Sequence, residues 1–178
     1  MSDVTGIMLS VNPPYAGMLL SGYKPFEFRK AVMYALRPDT LKHSGPMTVF
    51  IYETIGKGGI GAVVGEVQAD YTLAPLFLKG KDDQDIRRMY GDLLSHYWRL
   101  FSDGENNSNA EPSSAFLAYL KEIGARSEEY NYAVHMSNPI RYAEPVPIGQ
   151  FYGSDGKPLK RPPQNMCLAT KPGQERSF

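Results

Sequence analysis

The chain has 178 residues, no net formal charge and a single cysteine. That length is one ordinary domain, able to bury on the order of 70% of the surface its unfolded form exposes, so it needs neither a metal nor a disulfide to hold it, and Cys167 has no internal partner. No apolar run approaches the roughly 20 residues of a membrane span, and Met1-Ser2-Asp3-Val4-Thr5 lacks the basic start of a signal peptide, so the expected location is the cytoplasm.

The first expected element is a strand over residues 6–11, which hold Ile7, Met8, Leu9, Ser10 and Val11. Asn12 is a candidate N-cap before Pro13 and Pro14, and Tyr15, Met18 and Leu19 have the spacing of one short helix, closed by Gly22. Residues 24–29 alternate apolar and polar like a half-buried strand. Residues 47–55 are rich in β-branched and aromatic types, as are residues 62–71, and both read as strands. The glycine-rich stretch between them reads as a turn.

Helical spacing then takes over. Ile86, Met89, Tyr90, Leu93, Leu94, Tyr97 and Leu100 fall on one face of a helix over 82–101, with Asp82 or Asp83 available to cap it. A polar loop over 102–112 has almost nothing to bury, and a second helix is expected from about Ser113 to Ile123, stopped by Gly124. Strand character returns from Tyr132 to Ser137 and from Pro139 to Tyr142, with a last short strand over Met166 to Ala169 and a frayed tail from Thr170. Strands interrupted by a helical excursion fit a small barrel with its helices to one side. Residues 82–129 hold ten acidic and five basic side chains, whereas residues 151–178 hold five basic and two acidic ones. A local basic surface can act in a chain of zero net charge because salt screens beyond about 10 Å at 0.1 M; ordinary scatter over a solvated surface explains the same counts equally well.

Gly56-Lys57-Gly58-Gly59-Ile60-Gly61 matches G-x-G-x-x-G by letter. A dinucleotide site needs a helix after those glycines, and Ala62-Val63-Val64 is strand-like, so a hairpin turn is the better reading. His43, His96 and His135 have no metal-ligand spacing, and no metal or cofactor is expected. The strongest constellation is Gly22-Tyr23-Lys24-Pro25-Phe26-Glu27-Phe28-Arg29. Strand alternation puts Phe26 and Phe28 on one face, expected to be the core, and Glu27 and Arg29 on the other. A solvated outer face would look the same. If that face lines a cleft, Arg29 can fork onto phosphate or a base edge, Glu27 can accept from an exocyclic amine, and Lys24 can neutralise phosphate or act as a base.

The run Leu9 to Arg29, with Asn-Pro-Pro-Tyr and then Gly-x-Lys-x-x-Glu-x-Arg, resembles the opening of ASCH-domain proteins. Ile51-Tyr52-Glu53-Thr54, Val64-Gly65-Glu66-Val67 and the run from Tyr132 to Tyr142 resemble that family's central strand, the next strand and a later hairpin, in order. Arg161-Pro162-Pro163-Gln164 resembles longer, phage- and prophage-associated members. The resemblance implies an α+β fold, a small PUA-like β-barrel formed by residues 1–178 as a single domain, with 82–129 as a helical insertion. It implies a partner that is RNA, another single-stranded nucleic acid or a nucleotide. Lys24, Glu27 and Arg29 would form the cleft, with Ser137 and Asn138 of the later hairpin as further contacts. Some members resemble amidohydrolases of N-acetylated cytidine that use a Lys and a Thr in this strand. Lys24 matches the Lys, but the Thr position falls on Glu27, whose carboxylate is not a hydroxyl nucleophile. Other members are described as ribonucleases; a metal-free one would need Glu27 or Glu129 as base with Lys24 and Arg29 stabilising charge. Tyr15, Tyr52 and Tyr142 lie near these pieces and are candidates to stack on bases, although most aromatics are core. A third reading has the acidic stretch, through Asp82, Asp83 and Asp85, dock a protein partner.

Overall fold

The computed structural model describes residues 3–76 and 131–173, together with positions 82, 84, 85 and 88. Its first strand, β1 (Val4–Val11), is apolar on both faces, because both faces are covered. Ile7, Leu9 and Val11 enter one core and Met8 enters another. The connection that follows holds α1 (Tyr15–Leu20), β2 (Phe26–Arg29), a 3-10 turn at Tyr34–Leu36 and α2 (Pro38–Ser44). That long crossover lets β3 (Met47–Glu53) return parallel to β1, with Ile7 opposite Val49 and Leu9 opposite Ile51. β4 (Ala62–Leu76) pairs antiparallel with β3, β5 (Asn131–Val146) with β4, β2 with β5, and β6 (Met166–Lys171) with β1.

The main core joins Ile7, Leu9, Val49, Ile51, Val67 and Val134 of the sheet to Leu19 and Leu20 of α1, Leu36 of the 3-10 turn and Leu41 of α2. Each such side chain, fully buried, contributes about 1.5–3 kcal/mol. A smaller core on the opposite face gathers Met8, Phe50, Tyr52, Val63 and Ala169 under Phe151, whose ring meets that of Phe50 edge-on at 5.0 Å.

The strand order β2-β5-β4-β3-β1-β6 makes an open six-stranded sheet, which corrects the expectation of a closed barrel. β2 spans four residues and the chain then leaves the strand for the turn at Tyr34–Leu36, so β2 ladders only to β5. The sheet nevertheless curls until its ends meet through side chains and loops. Arg29 of β2 donates to the carbonyl of Ser10 on β1 at 2.8 Å, and the Met33 amide reaches Met166 Sδ at 3.3 Å.

Other details also depart from the sequence reading. Asn12 does not cap α1; Pro14 holds that position, and Asn12 Oδ1 instead accepts from Thr54 Oγ1 at 2.6 Å. The turn at Tyr34–Leu36 and α2 were not foreseen. Residues 131–146 form one long strand rather than two short ones or a hairpin: Asn138, at φ 47°, sits where the pairing with β4 slips, and the chain continues through the irregularity. β6 extends through Thr170 and Lys171, which the sequence assigned to a frayed tail. The turn reading of residues 56–61 holds: Gly61 has φ 74° and leads directly into β4. Asp82 Oδ1 accepts the Asp85 amide at 2.8 Å, the bond of an N-cap, but the remainder of the two expected helices and of the acidic stretch lies outside the described residues. Among the described residues no helix is long and apolar enough to cross a membrane.

Candidate functional site

α1 ends at Leu20, and Gly22, at φ 75°, turns the chain back so that the Lys24 amide donates to Met18 O at 3.0 Å. Pro25 O then accepts the Met136 amide at 2.7 Å, which ties the entry of β2 to β5. In the β2–β5 ladder Glu27 lies opposite Val134 and Arg29 opposite Tyr132. Paired residues share a face, and Val134 belongs to the main core. Glu27 and Arg29 are therefore on the side of the sheet that the main core occupies, not on an outer face. Phe26, fully buried, lies on the opposite side with its ring edge-on to those of Tyr71 and His135, and Phe28 is only half-buried.

The three charged side chains form one continuous cluster. The Lys24 ammonium donates to Glu27 Oε2 and, at 2.8 Å, to the carbonyl of Phe26. Arg29 NH2 pairs with Glu27 Oε1 at 2.8 Å and also reaches Ser10 O, while NH1 donates to Asn165 Oδ1 at 2.8 Å. Arg29 Nε is buried without a hydrogen-bond partner among the described residues. Lys24 is 5% exposed and Glu27 7%, so the solvent-open cleft expected from sequence is instead a nearly closed ion cluster, and a solvated strand face is excluded. Burial by itself would raise the Glu27 carboxyl, but the neighbouring Lys24 and Arg29 charges and their hydrogen bonds outweigh it and hold the group below its ordinary 4.5. The ammonium also lies 5.9 Å from the ring centre of Tyr15 and 5.7 Å from that of Phe28, both within cation–π range. Tyr15 opens α1 and is 43% exposed, so it is the edge of the cluster that solvent reaches.

The other sequence candidates are placed elsewhere. Tyr52 is buried in the second core, on the face away from Glu27. Ser137 Oγ donates to Gln68 O at 3.4 Å on β4, and Asn138 is exposed at the irregularity of β5. Tyr142 packs at the second core, where its hydroxyl donates to Glu66. His135 Nδ1 lies 3.1 Å from Asp70 Oδ1 and its ring stacks on Tyr71 at 4.6 Å. Glu129 lies outside the described residues. Among the described residues no group of three His, Cys, Asp or Glu side chains could hold a metal. Ser10 and Asn165, which hold Arg29, escaped the sequence reading; 136 positions separate Arg29 from Asn165, and no local pattern links them.

No family model matches the sequence, and no curated protein matches it. Solved structures do match. The ASCH protein of Zymomonas mobilis superposes with a TM-score of 0.50 at 16% identity, over 90% of this chain and 84% of that one. Two mutants of the same protein give TM-scores of 0.49 and 0.48 at 16% and 18% identity, again over 90% of this chain and over 86% and 84% of theirs. The likeness is one of fold, extending over nearly the whole chain.

Proposed function

The chain has the fold of an ASCH domain, and from that premise we propose that it binds RNA or a nucleotide unit of RNA at Lys24, Glu27 and Arg29, beside Tyr15. The observation that carries the reading is the charge balance of the buried cluster. Among the described residues two cations face one carboxylate, and a net positive charge held away from water is expensive and attracts an anion or an electron-rich carbonyl strongly. The division of labour follows from the hydrogen bonds. Arg29 spends NH1 and NH2 on Glu27, Ser10 and Asn165, so it serves as the bracket that fixes Glu27. Lys24 spends two of its three N–H groups on Phe26 O and Glu27 and is the cation offered to ligand. Tyr15 supplies an exposed ring on which a base can stack.

The state of Glu27 favours binding over a reaction with Glu27 as general base. Its oxygens are engaged by Lys24 and Arg29 and its carboxyl is held below the ordinary glutamate value, whereas a general base works best with a pKa near the working pH.

Fluorescence anisotropy with a short labelled oligouridylate tests this reading. Lys24→Ala is expected to weaken binding and to reduce the slope of log affinity against log salt by about 0.7, one phosphate contact on a single strand. Tyr15→Ala is expected to cost about 1–3 kcal/mol, the worth of one stacked base. Parent-like affinity and slope in both variants would contradict the assignment.

A further inference from the structure

Residues 151–165 run from the second core to the cluster at Lys24, Glu27 and Arg29, and both ends of the run are fixed. At one end Phe151 is fully buried, the Tyr152 amide donates to Thr170 O at 2.9 Å, the Leu159 amide to Phe151 O at 2.8 Å, and Leu159 packs against the second core. At the other end Ser10 Oγ donates to Pro163 O at 2.7 Å, the Ser10 amide to Asn165 O at 3.1 Å, and Asn165 Oδ1 accepts from Arg29. Between these anchors Lys160 and Arg161 are exposed, and neither enters an ion pair among the described residues. Lys157 is exposed too, but Asp155, whose carboxylate accepts the Lys157 backbone amide at 3.1 Å, puts an opposite charge on the same turn. The next residues are Pro162 and Pro163, which favour an extended, stiff backbone.

We infer that residues 160–165 form a basic arm that extends the ligand site, with Lys160 and Arg161 holding the phosphates of a single-stranded nucleic acid whose one nucleotide sits at Lys24 and Tyr15. The inference rests on the function proposed above and adds the length of the ligand. Four residues of extended chain put the Arg161 backbone at most about 14 Å from that of Asn165, whose side chain bonds Arg29. Cations on an arm tied to the cluster but removed from it along the chain suit the further phosphates of a strand rather than the single phosphate of a mononucleotide. Anchoring at both ends matters, because an arm already ordered loses little conformational freedom on binding. Asn165 is here a positioning residue: it bonds Arg29 with its side chain and the Ser10 amide with its carbonyl, which fixes the arm to the cluster.

The experiment compares two probes, labelled oligouridylate and uridine monophosphate, on the whole chain and two variants. The double variant Lys160→Gln with Arg161→Gln changes exposed side chains and is expected to melt with the parent. It should bind oligouridylate at least about tenfold more weakly at low salt, with a log–log slope reduced by about 1.4, and bind the mononucleotide as the parent does. Lys24→Ala, compared at a temperature at which its own melt shows it folded, should weaken both probes. If the double variant binds oligouridylate like the parent while Lys24→Ala still weakens both probes, the arm is wrong and the proposed function stands. Should Lys24→Ala bind both probes like the parent, or should the parent bind neither, the proposed function fails and the arm falls with it. Equal weakening of both probes by the double variant would also overturn the arm, since it would place those cations at the mononucleotide site itself.

Discussion

Two clusters of similar composition sit on opposite faces of the sheet. In one, Lys24, Glu27 and Arg29 lie on the main-core side, with Tyr15 at the rim. In the other, Tyr142 donates to Glu66, while the Lys171 ammonium donates to the Tyr142 oxygen at 2.9 Å, pairs with Glu66 at 3.3 Å and lies 4.1 Å from the centre of the Tyr142 ring. The second cluster has one cation and one carboxylate, both partly open to water. Its tyrosine hydroxyl is held protonated far into the alkaline range, first by burial and then by the hydrogen bond and charge of Glu66. It is neutral and self-satisfied, and it closes the edge of the second core. The first is buried and, among the described residues, has one cation more than it has carboxylates. Composition alone would rank the two alike; burial and charge balance separate a cluster suited to a ligand from one suited to support.

The largest expected difference is in stability. Lys24→Met leaves a buried carboxylate with one partner fewer and should cost about 3–5 kcal/mol, measured by urea unfolding. Lys171→Met removes a partly solvated partner and should cost about 1 kcal/mol or less. Comparable losses would erase the distinction. Arg29→Lys keeps the charge but cannot bridge Glu27, Ser10 and Asn165 together, and should cost about 1.5–3 kcal/mol.

A smaller effect lies in the acid range. Because the folded Glu27 carboxyl titrates below its ordinary 4.5, its ionised form stabilises the fold above that value, and the contribution is lost as pH falls through the folded pKa. Glu27→Gln should flatten that part of the stability–pH curve, read from melting temperatures across the acid range. At the opposite end the sign reverses. Tyr142 is raised from 10.0, so its contribution is complete below that value and is lost as pH rises above it; Tyr142→Phe should show less alkaline destabilisation than the parent. The change should be smaller still, since the group is only partly buried.

Much of this fold was legible because burial leaves periodic marks. The alternation Phe26-Glu27-Phe28-Arg29 located β2, and the β-branched run Met47–Glu53 located β3. Alternation gives which residues share a face and not which face is inside. The sequence therefore grouped Glu27 with Arg29 correctly and misjudged their surroundings, since both sides of β2 are covered and the ionic side shares the face of the main core. The open sheet was beyond reach for a related reason: closure depends on whether β2 and β6 pair, and neither strand records its missing neighbour. The bracket around Arg29 joins β2 to Ser10 and Asn165, which only the tertiary fold brings together. Tyr52 shows the converse limit, a residue beside a recognisable strand motif whose parity sends it into the second core.

The central claim is that ligand goes to the charge-surplus cluster and not to its balanced counterpart. Chemical-shift mapping of the isotope-labelled chain during titration with uridine monophosphate tests it directly. The account predicts saturable shifts at Tyr15, Lys24 and Glu27, with Glu66, Tyr142 and Lys171 unmoved. Saturable shifts centred on Glu66, Tyr142 and Lys171, with Tyr15 and Lys24 silent, would contradict it.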